Sequence, residues 1–112
     1  MKNLVMIVLV ALFSLTATAQ EKKNKNAKHD IEVKGNCDMC KKRIEKAAFG
    51  VKGVKSAEWH SDDQTLHLIL NEEKTSALEV QKAVAQVGHD TRDVKAPQKT
   101  YDELHGCCQY DR

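Results

Sequence analysis

Between Ile31 and Val94 the spacing of apolar residues switches back and forth between a period of two and a helical period. Ile31 and Val33 alternate with Asp30, Glu32 and Lys34, which marks a short half-buried strand. Gly35-Asn36 breaks that strand, and a helix is expected from Met39 or Cys40 to Phe49. Its apolar face is Ile44, Ala47 and Ala48, continued by Val51, and Gly50 and Gly53 end it. Val54 to Ser61 reads as a second strand with Ala57 and Trp59 on one face. After a turn at Ser61-Asp62-Asp63-Gln64, Leu66, Leu68 and Leu70 line the core side of a third strand, completing a hairpin. Ser76 and Glu79 have capping-box spacing before a second helix with Ala77, Val80, Val84 and Val87 on its face. Gly88 is its expected C-terminal cap, and His89 to Lys95 a weak fourth strand. Strand, helix, strand, strand, helix, strand is an α+β order. It fits a ferredoxin-like βαββαβ sandwich, a four-stranded antiparallel sheet with two helices on one face.

The ends of the chain divide differently. Lys2, the apolar run Leu4 to Leu15 and the small residues Ala17-Thr18-Ala19 have the pattern of a signal peptide over 1–19. That run is too short to span a bilayer comfortably, so a periplasmic or secreted protein is expected, without stable membrane insertion after cleavage. Residues 20–29 are polar and read as a flexible leader. The domain itself covers 30–95, and 96–112 is a tail carrying cysteine and histidine.

Composition narrows the function. Lys and Arg total 18 against 16 Asp and Glu, and aromatics make up only 4% of the chain. A nearly neutral chain without interleaved aromatics does not suit nucleic acid. Asp62-Asp63 is a turn pair, and His60 and His67 fall opposite the core side of the hairpin, where they are expected to be solvated. No enzyme constellation emerges beyond the thiols.

Chemistry concentrates in Cys37-Asp38-Met39-Cys40, at the junction of strand and helix. A CxxC there lets two thiolates converge on one soft metal ion, favoured by the unpaired N–H groups of the first helical turn. The same spacing serves a dithiol redox pair or a structural disulfide. A thiol-disulfide oxidoreductase, with Cys37 as nucleophile and Cys40 as resolving thiol, is therefore the alternative function. The thioredoxin arrangement of strands and its Trp-Cys-Gly-Pro-Cys segment are not in this sequence.

With Gly35 and Cys37-Asp38-Met39-Cys40 in place, then Val51-Lys52-Gly53-Val54, the apolar hairpin and Val87-Gly88, the stretch from Asp30 to Val94 resembles a heavy-metal-associated domain. This is the module of periplasmic mercury-binding proteins, soluble copper chaperones and metal-ATPase N-terminal repeats. The resemblance implies that Cys37 and Cys40 bind a soft ion, Cu(I) foremost, with Hg(II) or Zn(II) as further candidates. It implies transfer of that ion to a membrane metal transporter or another metal-binding protein.

Two positions depart from the family pattern. Only Asn36 separates Gly35 from Cys37, so the family's core-plugging Met before the first cysteine is missing, and Met39 is expected to pack in its place or else to point outward as a soft thioether. His89 stands where an aromatic is common, in a loop that the family places near the metal. It is a candidate third ligand or hydrogen-bond donor to a thiolate, the other reading being an exposed histidine at the start of the strand. The tail adds His105, Cys107 and Cys108, a soft-ligand cluster. Three roles are open to it: further ligands for the same ion, a disulfide to the first pair, or an independent capture site. The tail is expected to fold back towards Cys37 and Cys40.

Overall fold

Trp59 and the three leucines of the hairpin determine where the core sits. In the computed structural model, which describes residues 22–112, strands β1 (Ala27–Glu32), β2 (Val54–His60) and β3 (Thr65–Leu70) form one sheet in the order β1-β3-β2. Both pairings are antiparallel: Ile31 faces Leu66, and Trp59 and Ala57 face Leu66 and Leu68. The period of two puts Ile31, Trp59, Leu66, Leu68 and Leu70 on one face, all buried. Lys28, Asp30, Glu58, His60 and His67 lie on the other face, where His67 pairs with Asp30 at 2.7 Å. The signal peptide read over 1–19 lies outside the described residues.

Helices α1 (Asp38–Phe49) and α2 (Ala77–Gln86) supply the facing apolar stripe. Ile44 and Ala48 of α1 and Val80 and Val84 of α2 are fully buried. Ser76 caps α2 as its spacing predicts, accepting the Glu79 backbone N–H at 3.3 Å. Gly88 follows with φ +108°, the left-handed conformation that a C-terminal cap requires. A side chain there would also strike Leu104, since an added Cβ would lie 3.0 Å from its Cδ2.

Two boundaries differ from expectation. β1 begins at Ala27, so the last residues of the expected flexible leader belong to the sheet, where Ala27 faces Leu70. The fourth strand is absent from the sheet, which has three strands and not four among the described residues. What remains is a single antiparallel bridge between Val33 and Thr91, with Lys34 N–H donating to the Asp90 carbonyl and Arg92 N–H to the Glu32 carbonyl. Side chains end the pairing on one side: Gln81 Oε1 accepts the Asp93 N–H, and Thr91 Oγ1 accepts the Val94 N–H. On the other side Asp90 N–H donates to the Tyr110 hydroxyl at 2.8 Å. Each donor that would extend a ladder already has a partner.

The tail is part of the fold. After Pro97 come helix α3 (Gln98–Asp102) and a 3₁₀ turn at Gly106–Cys108. Leu104, Cys108 and Tyr110 join the buried core. Tyr110 donates its hydroxyl to the Gly88 carbonyl at 2.7 Å, and its ring packs 5.0 Å from that of Tyr101. Arg112 forks onto the Asp90 carboxylate through Nε and Nη2, both at 2.9 Å, and lies over the Tyr101 ring.

Candidate metal centre

The strand-to-helix junction brings the thiols together. Cys37 is the extended residue before α1, and its carbonyl accepts the Lys41 N–H at 3.0 Å. Cys40 is one turn on and fully buried. Beneath them the Trp59 indole donates Nε1–H to the Val33 carbonyl at 2.9 Å. Gly35 crosses so close above that a Cβ there would lie 3.1 Å from both the Trp59 ring and Cys40 Cβ. A side chain at Gly35 would press on both, so this close approach favours glycine there. Trp59→Phe should cost about 1–3 kcal/mol, because it leaves the buried Val33 carbonyl without its donor. Urea denaturation of the reduced protein measures the loss.

The third sulfur comes from the tail. Cys108 Sγ lies 3.6 Å from Cys37 Sγ, and Cys37 Sγ lies 3.7 Å from Cys40 Sγ. All three sulfurs fall within 4.8 Å of one another. Metal–sulfur bonds of about 2.3 Å put sulfurs about 3.8–4.0 Å apart in tetrahedral or trigonal sites, so little movement separates this triad from a three-sulfur site. The loop itself holds the tail there, since Asn36 Nδ2 donates to the Gln109 carbonyl at 3.0 Å. All four cysteines are free thiols.

Their environments push the thiols apart in acidity. The Cys40 backbone N–H, assisted by the Cys108 thiol and opposed by burial, lowers Cys37 to about 7. Burial pushes Cys40 up to about 11. Above pH about 7 a metal therefore displaces no proton from Cys37, whereas below it one more proton must leave. The slope of log affinity against pH should steepen by one proton as pH falls through about 7. Chelator competition across that range checks it.

No family model and no curated protein sequence matches the chain. Solved structures do match. The CopZ metallochaperone is 23% identical with a TM-score of 0.56, over 58% of this chain and 98% of its own. Oxidized MerP from Ralstonia metallidurans CH34 is 24% identical with a TM-score of 0.56, over 59% of this chain and 93% of its own. The N-terminal domain of a potential copper-translocating P-type ATPase from Bacillus subtilis, in its Cu(I)-loaded state, is 25% identical with a TM-score of 0.56, over 59% and 84%. The domain has the heavy-metal-associated fold.

Within this domain the six residues singled out as ligands separate into two groups. Cys37, Cys40 and Cys108 converge. His89, His105 and Cys107 are outside that triad. His89 is fully buried, with Nδ1 at 2.9 Å from the Lys34 carbonyl, Nε2 at 3.4 Å from Arg43 Nη1, and its ring stacked on Tyr110. Burial, with Arg43 adding to it, lowers its pKa, so it is a neutral packing residue with both nitrogens engaged. That corrects the expectation of a ligand or thiolate donor. His105 is exposed at the start of the 3₁₀ turn, where its carbonyl accepts the Cys108 N–H at 2.8 Å. Cys107 points outward, with its sulfur 3.9 Å from Cys108 Sγ and 3.9 Å from Met39 Sδ. Met39 is 46% exposed and does not plug the core, because the Trp59 ring fills the space under the loop. Trp59 is the supporting residue that sequence reasoning missed. Its one signal was a large aromatic on the core side of β2, next to a loop lacking the usual methionine.

Proposed function

We propose that this protein binds one soft metal ion through Cys37, Cys40 and Cys108, Cu(I) foremost, and passes it to another thiol-rich metal-binding domain or a membrane metal transporter. The observation that carries the reading is the triad of free thiols within 4.8 Å on a heavy-metal-associated fold. Soft thiolates select Cu(I), Hg(II) and Zn(II) over hard cations, and a three-sulfur set suits Cu(I). Two solved structures it resembles support a soft-metal carrier, one a metallochaperone and the other Cu(I)-loaded, and the second supports Cu(I). The signal-like residues 1–19 support a periplasmic or secreted setting.

Burial sets the direction of transfer. Cys40 and Cys108 are fully buried, while Cys37 is only partly covered, so a partner's thiolate approaches on the Cys37 side. It binds the ion there as Cys37 is displaced, and Cys37 takes up a proton only below pH about 7. The alternative, a thiol-disulfide oxidoreductase, gains from the low pKa of Cys37, but the sheet carrying it is entirely antiparallel among the described residues. Chelator-competition titration of the reduced protein with Cu(I), Zn(II) and Hg(II) tests the proposal. A tight first equivalent of Cu(I), held more tightly than Zn(II), is expected. No Cu(I) binding by the reduced protein would reject it.

A further inference from the structure

Two pairs of consecutive sulfur residues face each other across the site. Met39-Cys40 lies on the first turn of α1, and Cys107-Cys108 lies on the 3₁₀ turn. Each turn splits its pair. Cys40 and Cys108 point inward and are fully buried, whereas Met39 and Cys107 point outward and are exposed. The two outward sulfurs meet at 3.9 Å although they are 68 residues apart in the chain. Cys107 Sγ is also 3.9 Å from Cys108 Sγ, which is 3.6 Å from Cys37 Sγ. The sulfurs thus form one connected series from Cys40 through Cys37, Cys108 and Cys107 to Met39. Its inner members make the triad already described. Its outer members have no other partner among the described hydrogen bonds and ion pairs.

We infer that Cys107 and Met39, with Cys108 as a shared bridging sulfur, form a second soft-metal site on the outer wall of the first. This inference rests on the inner three-sulfur reading for its bridging ligand. A thioether donor with thiolates selects a soft monovalent ion, Cu(I) or Ag(I), and offers little to Zn(II). One proton leaves Cys107 for solvent as its metal–sulfur bond forms. Cys108, already ionised by the inner ion, adds a second metal bond, and the thioether donates a lone pair without losing a proton. The outer ion is exposed and carries fewer thiolates, so it binds more weakly and exchanges faster than the inner one.

Neither outer residue is needed for folding, because both side chains are exposed. Ag(I), which has no redox chemistry here, is the probe. Reduced protein is titrated with Ag(I) and with Zn(II), and ions per chain are counted by native mass spectrometry. The expected result is two Ag(I) but one Zn(II). Met39→Leu and Cys107→Ser should each reduce Ag(I) to one while that first ion keeps its affinity. A single Ag(I) on the unaltered protein, or a second ion that survives both substitutions together, would overturn the outer site. The inner reading is tested separately by Cys37→Ser with Cys40→Ser. If those leave the first ion unaffected, the inner assignment fails whatever the outer count.

Discussion

Replacing Cys37 and Cys40 together by serine will lower the affinity of the reduced protein for Cu(I) by about 10²–10⁴-fold. The size of the effect follows from chelation. One sulfur already bound holds the next at high effective concentration, and serine hydroxyls do not replace thiolates for a soft ion. In the variant only Cys108 remains of the triad, on a short turn after the tail helix. Competition against a chromophoric chelator measures the loss, and affinity within about tenfold of the unaltered protein would count against the site. Cys40 is buried in the core, so Cys37→Ser alone serves as the variant whose fold is least disturbed. It should still weaken binding, because Cys37 is nearest to both other sulfurs, at 3.6 and 3.7 Å.

The second large effect is on stability. Tyr110→Ala should destabilise the metal-free protein by about 3–5 kcal/mol through the lost ring. Losing the hydroxyl also strands the buried Asp90 N–H and Gly88 carbonyl, at about 1–3 kcal/mol. Tyr110→Phe should show that second part alone. Urea denaturation of the reduced forms separates the two, and a total below about 1 kcal/mol would mean that the tail is not docked as described. The same ring stacks on His89 and packs against Tyr101, and the next residues carry the Arg112–Asp90 fork. The tail is therefore latched through Tyr110, and Cys108, two residues earlier, reaches Cys37 only while the latch holds.

These elements show which parts of the protein can be read from its residues. The hairpin was legible because Leu66, Leu68 and Leu70 alternate strictly and a one-residue slip would expose all three. The caps at Ser76 and Gly88 were legible because their chemistry is local. The fourth strand is reduced to a single bridge. Thr91 and Val94 suit a strand, but the donors that would build it are taken by Gln81, Thr91 Oγ1 and the hydroxyl of Tyr110. Such competition is long-range and leaves no period in the sequence.

The site divides along the same line. Cys37 and Cys40 could be placed together from spacing alone, and the tail's soft ligands suggested a return towards them. Which of Cys107 and Cys108 turns inward depends on the 3₁₀ turn, and that turn is held by Tyr110, Arg112 and Asn36 across long sequence distances. His89 departs from its loop-based expectation for the same reason. Its loop position suggested a ligand, but Lys34, Arg43 and Tyr110 surround it in the fold.

The central claim is that the tail supplies a third sulfur to the ion held by the CxxC pair. X-ray absorption at the copper edge measures it directly, on reduced protein loaded with one equivalent of Cu(I). Three sulfur neighbours are expected for the unaltered protein, and two for Cys108→Ser. Two sulfurs in both would contradict the account, because Cys108 would then lie beside the metal without binding it.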